Sequence, residues 1–219
     1  WSLILWAKCK DEKNLELFLN TIGKKPEVKN NVIQSILAEQ FTTGKIYKIC
    51  GKIFIDCTGD GRIGYESGAK YMYGRESKYK WNEDLAFEKS DKYTMGSTLF
   101  IQAKNFGFPI LFNPPKWAYD FPEEEDFPGY EPEFGHRDCP HELQKLLNGD
   151  GGYWWIEFGG MMDTIKNAEF IRDELIKYAI GVWDHIKNHG DHKAENYFID
   201  SINPLPGKRE SRRFIGDYI

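Results

Sequence analysis

One segment constrains the fold of this chain more than any other: an apolar run that ends in two closely spaced glycines. Lys52–Thr58 predicts a strand, Gly59-Asp60-Gly61 ends it, and Arg62–Lys70 predicts a short helix. Glycine lets a backbone approach a ligand closely, and the first N–H groups of a helix favour an anion. The segment is therefore a candidate anion-binding loop, although it is neither a GxGxxG nor a Walker motif. The same pattern also suits an ordinary strand-to-helix turn with Asp60 as the helix cap.

The residues before this segment predict a small β-meander. Trp1–Ala7 is apolar and strand-like, and Leu15–Ile22 alternates in the way a half-buried strand does. Val32–Phe41 and Lys45–Ile49 predict two more strands, joined by the hairpin-like turn Thr42–Lys45. The first 70 residues or so are thus expected to form a meander that leads into the strand, loop and helix.

A long amphipathic helix is the clearest element of the second half. Thr94–Ala103 and Tyr153–Phe158 predict strands, and Asp163 can cap a helix that runs to about Asn188. Apolar residues recur there at helical spacing: Ala168, Ile171, Leu175, Ala179, Val182 and Ile186. Gly181 costs such a helix about 1 kcal/mol relative to Ala, so we expect close packing or a bend at that position.

Composition excludes several classes of protein. The chain has 219 residues, 29 Lys and Arg against 34 Asp and Glu, and an aromatic share of 16%, which argues against a disordered chain and weakly against a nucleic-acid binder. No apolar run reaches the ~20 residues that a membrane-spanning helix needs. None of the four cysteines forms a CxxC pair, and Cys50 and Cys57 are predicted to be buried thiols. Neither the compartment nor the oligomeric state follows from the sequence.

A second charged motif lies near the end of the chain. Pro206–Arg213 holds four cations around one carboxylate, Glu210. Arginine offers a planar fork of donors that suits carboxylate or phosphate groups. As a strand, the motif would place Arg209 and Arg213 on one face, with Glu210 and Arg212 on the other. A solvated charged turn is the alternative.

The histidines give weaker signals, and we predict no metal site. His136, Cys139 and His141 are ligand types for a metal, but their spacing fits no zinc signature. The other three lie at or beyond the predicted end of the long helix, where the helix dipole favours imidazolium: His185, His189 and His192. No GxSxG or HExxH motif supports a hydrolase.

Across nearly its whole length the sequence resembles the FAD-dependent oxidoreductases of bacterial genomes, relatives of the glutathione-reductase-like flavoproteins, some of which are named xanthan lyases. The similar stretches are Leu19–Thr21, Phe54–Gly61, Gly68-Ala69, Gly74–Ser77, Thr94–Gly96, Trp154–Gly160, Gly181–Asn188 and Gly207–Tyr218. Each motif is weak alone, but together they are specific. The resemblance implies an α/β protein in which part of a Rossmann-like FAD domain is combined with an inserted α+β substrate domain.

The resemblance also implies a domain plan and an activity. Residues 1–70 would belong to the FAD domain and 71–205 to the substrate domain. Residues 206–219 would begin the segment in which the chain returns to the FAD domain. The GxGxxG loop of the family is absent from the sequence, so we expect an internal fragment whose partner is the remainder of its own chain. The implied activity is hydride transfer from a small organic substrate to flavin.

Site residues follow from the same resemblance. Thr58, Gly59, Asp60 and Gly61 match the family segment that lies near the FAD phosphates or adenosine. The residues expected to orient substrate, to balance charge or to act as a remote acid or base are Arg209, Glu210, Arg212, Arg213 and His185. A non-catalytic carbohydrate- or ligand-binding module, with aromatics of Trp117–Tyr130, Trp154 and Trp155, is one alternative. An inactive, truncated flavoprotein relic is the other.

Overall fold

The computed structural model describes residues 1–123, 126, 153–189 and 192–216, and 153–155 by their backbone alone. Two compact units divide the chain. Unit 1 comprises Trp1–Met72 with Arg212–Ile219, and unit 2 comprises Tyr73–Ser211. The fold is a mixture of helices and antiparallel sheets. Among the described helices, none combines the length and the apolar character required to cross a membrane.

Unit 1 is built around a three-stranded antiparallel sheet in the order β1-β2-β3. Its strands are β1 (Thr21–Lys29), β2 (Val32–Gln40) and β3 (Lys45–Cys50), joined between β2 and β3 by the predicted turn. Of the predicted meander, the strands over Val32–Phe41 and Lys45–Ile49 and the turn between them are confirmed. The other elements of this unit are α1 (Ser2–Asp11), α2 (Arg62–Glu66), β4 (Tyr71–Met72) and β9 (Arg213–Phe214), the last two paired antiparallel.

Three predictions for unit 1 are wrong. Trp1–Ala7 lies in helix α1, because a short apolar run fits either structure and Leu, Ala and Lys favour helix. Leu15–Ile22 is not a strand, since Asn20 has a left-handed φ of 54° that interrupts the extended chain before β1. Lys52–Thr58 is irregular and pairs with no described strand, and Ile53 and Ile55 are exposed.

The thiols and the short helix of unit 1 also differ from expectation. Cys50 and Cys57 are exposed rather than buried, because the run that follows β3 is not covered by another layer. Helix α2 ends at Glu66 rather than near Lys70, since Gly68 has a left-handed φ of 82°.

Unit 2 packs one long helix against an antiparallel sheet. Strand β5 (Ser97–Asn105) pairs with three others, namely β6 (Tyr153–Phe158), β7 (Tyr197–Ile202) and β8 (Gly207–Lys208). A short helix, α3, spans Lys78–Trp81, and the long helix α4 spans Ala168–Asn188. The predicted elements in this unit are confirmed within a few residues of their bounds.

The core of unit 2 is the buried stripe of α4 on the sheet. It includes Leu99, Ile171, Leu175, Ala179, Val182, Trp183 and Ile186. Asp163 lies before the helix rather than at its first residue, and its Oδ1 accepts N–H groups of Ile165 and Lys166 in the preceding turn. The close packing predicted at Gly181 is confirmed, because a Cβ there would lie 2.4 Å from the carbonyl oxygen of Tyr119.

Candidate functional site

The loop between the exposed run and α2 is organised by the carboxylate of Asp56. Its Oδ1 accepts the N–H of Thr58 at 3.0 Å and the hydroxyl of Thr58 at 2.6 Å. Its Oδ2 accepts the N–H of Gly64 at 2.8 Å. The Thr58 hydroxyl oxygen in turn accepts the N–H of Arg62 at 2.7 Å. Asp56 and Thr58 therefore tie both ends of the loop to the start of α2.

These hydrogen bonds determine the direction in which the pKa of Asp56 is shifted. Burial raises the pKa of Asp56, but hydrogen bonds from the Thr58 hydroxyl and from the N–H groups of Gly64, Thr58 and Ile63 lower it by more, so that the net pKa lies below its ordinary value. The first N–H groups of α2 are thus already bound to Asp56 and Thr58. Asp60 is not the cap that the sequence suggested, and α2 does not offer these donors to an outside anion.

What the loop leaves open is the backbone at Gly59. Its φ is 82°, and among the described residues beyond its two chain neighbours no atom lies within 4 Å of the position that a Cβ would occupy. Gly61 is also left-handed, but a Cβ there would collide with the ring of Phe214. The loop is therefore closed by β9 at Gly61 and open at Gly59.

Arg212 adds a positive charge to this loop. Its Nη1 donates to the carbonyl oxygen of Asp60 at 3.1 Å. Its guanidinium carbon lies 3.8 Å from the ring centroid of Tyr65 and 5.7 Å from that of Tyr71, a stacked arrangement that fixes the plane of the guanidinium group. The next residue, Arg213, is exposed in β9 and pairs with Met72 in β4.

The arginine-rich motif is divided between the two units. Pro206–Arg213 is not one strand, so Arg209 and Arg213 do not share a strand face as the sequence suggested. In unit 2, Nη1 of Arg209 lies 3.7 Å from Oε2 of Glu157. The carboxylate of Glu210 accepts the N–H of Met95 at 3.2 Å, and its carbonyl accepts the Thr164 hydroxyl at 3.2 Å. Arg209 and Glu210 thus join the end of unit 2 to its sheet.

The histidines lie elsewhere in unit 2. His185 lies in the last turn of α4, as predicted. It is 2% exposed, and its Nδ1 lies 2.6 Å from the carbonyl oxygen of Phe121. It belongs to the interior of the unit. The residues His136, Cys139 and His141 lie outside the described residues.

Some aromatic rings of Trp117–Tyr130, the stretch considered as a carbohydrate-binding surface, pack against other residues of unit 2. Tyr119 stacks on Tyr178 with ring centroids 4.4 Å apart, and Phe121 is buried, whereas Trp117 is exposed. Residues 127–130 and the side chains of Trp154 and Trp155 lie outside the described residues. Of these described rings, Phe121 is therefore a core residue, whereas Tyr119, 37% exposed, and Trp117 lie at the surface.

Sequence reasoning found the loop but missed the residues that hold it. Asp56 precedes Thr58 by two positions, a spacing typical of an Asx turn, and this signal was available in the sequence. No local pattern indicated the stack of Arg212 on Tyr65, because 147 residues (212 − 65) separate them.

Comparison with known proteins gives one match. A family model described as FAD dependent oxidoreductase matches residues 2–219. No curated protein and no solved structure matches the chain.

Proposed function

Because the chain belongs to the FAD-dependent oxidoreductase family, we propose that it serves an enzyme in which a hydride passes from a small organic substrate to flavin. The family implies FAD as the cofactor, and bound FAD supplies the ring that accepts the hydride. The chain's own residues then have the tasks of binding FAD, orienting the substrate and excluding water.

The single observation that carries the cofactor assignment is the open backbone at Gly59. A ligand can approach this point closely because nothing fills the space beside it. The loop is already held by Asp56 and Thr58, so contact with FAD does not require the loop to fold first. Thr58, Gly59, Asp60 and Gly61 form this contact segment in our proposal.

Arg212 is the second part of the proposed FAD contact. Its charge lies beside the loop, held by the Asp60 carbonyl and the Tyr65 ring. The early N–H groups of α2 are occupied by Asp56 and Thr58, which favours Arg212 over the start of α2 as the partner of an FAD phosphate. Exposed Arg213, the first residue of β9, follows Arg212 directly and is proposed as a further cation there.

The other motif residues receive more remote roles. Arg209 and Glu210 would position the chain near the substrate through their contacts with Glu157 and Met95. The interior location of His185 favours a structural role over contact with substrate. An acid or base role for it would require the helix end to open.

Two matched variants test the FAD contact. Gly59→Leu places a side chain where FAD would approach, and Gly44→Leu makes the same change in the turn between β2 and β3. Both glycines have left-handed φ, 82° and 69°, and neither has an atom within 4 Å of the Cβ position. The two variants therefore carry similar backbone strain, so a difference between them reports the ligand.

The measurement is the flavin absorbance that remains with the purified protein, followed by FAD titration of the stripped protein. We expect Gly44→Leu to keep FAD affinity and Gly59→Leu to lower it at least about tenfold, equivalent to about 1.4 kcal/mol. Equal FAD affinity in both variants would overturn the proposed contact.

A further inference from the structure

A cluster of possible metal ligands lies at the end of α4, separate from the Gly59 loop. One ligand atom from each of Asp120, Asp184 and His189 lies within 4.8 Å of the other two. Asp184 is in the last turns of α4, and His189 is its C-cap. All three belong to unit 2.

The segment that carries Asp120 is fixed to α4 on both sides of this residue. The carbonyl oxygen of Tyr119 packs against Gly181, and that of Phe121 lies 2.6 Å from Nδ1 of His185. The N–H of Tyr119 also donates to the carbonyl of Lys177 at 3.4 Å. The packing of Tyr119 and Phe121 against α4 therefore holds Asp120 close to Asp184.

Among the described residues, the charge of this cluster is poorly balanced. Asp184 is 4% exposed, yet it faces a second carboxylate. Its Oδ1 accepts the Asn188 amide, and its Oδ2 lies 3.5 Å from Nε2 of His189. That distance is longer than a charge-assisted hydrogen bond. Buried charges are normally paired or bound to a metal, and here the pairing is loose.

The nearby lysines are committed to other groups. Lys187 donates to three carbonyl oxygens, those of Ala194, Glu195 and Tyr197, at 2.8–2.9 Å. Lys177 pairs with Glu174. Neither ammonium group bonds to the two aspartates, so within the described part of the chain a bound cation would supply the balancing charge.

We propose that Asp120, Asp184 and His189 bind a divalent first-row transition metal, with Zn²⁺ as the best-fitting example. Two carboxylate oxygens and one imidazole nitrogen form a mixed set that suits Zn²⁺ better than Mg²⁺ or Ca²⁺, which prefer oxygen alone. Zinc bonds of about 2.0–2.2 Å require the ligand atoms to close by roughly an ångström. Asp120 is exposed and can make most of that movement. Water takes the fourth position.

The bound metal joins the segment around Asp120 to the end of α4. Because one ligand comes from that segment and two from the helix end, binding stabilises unit 2, and the stabilisation rises with the logarithm of metal concentration once this exceeds the dissociation constant. The site is independent of FAD in this proposal, and its test needs no flavin chemistry.

The experiment is a competition titration of metal-stripped protein with Zn²⁺ and a coloured chelator, at neutral pH and with the thiols alkylated. Alkylation removes the four cysteines of the chain as competing ligands. Asp120→Asn is the main variant, since this exposed residue can change without disturbing the core. Asp200→Asn, an exposed aspartate of β7, is the control.

We expect one Zn²⁺ per chain in wild type and in Asp200→Asn. Asp120→Asn should weaken binding at least about tenfold, because loss of a ligand costs no less than loss of an outer-shell partner. His189→Gln should weaken it similarly. Absence of Zn²⁺ binding in wild type, or equal affinity in wild type and both ligand variants, would overturn the site.

Discussion

At the scale of single residues, the carboxylate of Asp56 sets the geometry of the candidate FAD loop. It accepts hydrogen bonds from residues on both sides of the two glycines. A carboxylate can accept all of them at once, whereas an amide of the same shape cannot, because its NH₂ group would face a second donor. The charge of Asp56 is therefore as important to the loop as its shape.

Asp56→Asn should lower the free energy of unfolding of unit 1 by roughly 1–3 kcal/mol at neutral pH, the cost of leaving a donor without its acceptor. The folded-state pKa of Asp56 lies below its ordinary value. Its contribution is thus present above a pH of about 4 and is lost as pH falls through the folded pKa. Urea unfolding of wild type and variant across this range measures the difference.

Asp11→Asn, at the exposed end of α1, is the control for this change. It should leave stability unchanged over the same pH range. A difference between wild type and Asp56→Asn that persists undiminished in acid would contradict the assigned role of the charge.

At the scale of elements, the glycine within helix α4 allows a neighbouring segment to pack against the helix backbone. Gly181 lowers the intrinsic stability of the helix. It also lets the carbonyl of Tyr119 approach the helix backbone more closely than any side chain would permit. The contact fixes the segment that holds Tyr119, Asp120 and Phe121.

Gly181→Ala is expected to destabilise unit 2 by about 1–3 kcal/mol, in spite of the gain in helix propensity, because the neighbour at 2.4 Å is backbone and cannot swing aside. Thermal unfolding followed by circular dichroism measures this. If the segment did not pack there, Ala would instead stabilise the helix by about 1 kcal/mol, and that result would contradict the close contact.

The elements also show where sequence reasoning succeeds. The turn between β2 and β3 and the stripe of α4 were predictable because their signals are local: a glycine-containing turn and apolar residues at helical spacing. Lys52–Thr58 was not, because an apolar run predicts a strand only if another strand lies beside it. The start of β1 could not be predicted because Asn20 has a left-handed φ, and its course could not because a bulge between Lys24 and Glu27 shifts the register.

Some parts of the candidate sites were likewise predictable from local sequence, and others were not. Thr58–Gly61 was recognisable from its glycines and from family resemblance. The partners of Arg212 and the meeting of Asp120 with Asp184 were not, since both depend on residues far apart in the chain. Contacts of that range follow from the completed fold and leave no spacing in the sequence.

At the scale of the whole molecule, the two units differ in how much core they possess. Unit 2 buries a contiguous cluster on α4 and β5. Among the described residues of unit 1, the buried apolar ones are Ala38 and Ile63, and the large side chains of α1 are exposed. Burial of apolar surface is the main source of stability, so the units should not be equally stable.

Hydrogen exchange of the 219-residue chain should therefore show slower exchange in α4 and β5 than in β1–β3. The central amides of α4 should exchange only with unfolding of unit 2, whereas those of the three-stranded sheet should exchange through easier opening. Mass spectrometry of peptic peptides resolves these elements. Equal protection in both sets of elements would contradict the difference in core.

The carboxylate of Asp56 accepts N–H groups at the start of α2, and this has a consequence for how a ligand would bind at the loop. A loop that depends on its ligand for order is disordered when empty and pays an entropic cost each time it binds. Here the chain supplies its own anion, the Asp56 carboxylate, so the hydrogen bonds that shape the loop come from the chain itself. In the proposed FAD contact, association at Gly59 would then be limited by diffusion and desolvation rather than by folding of the loop.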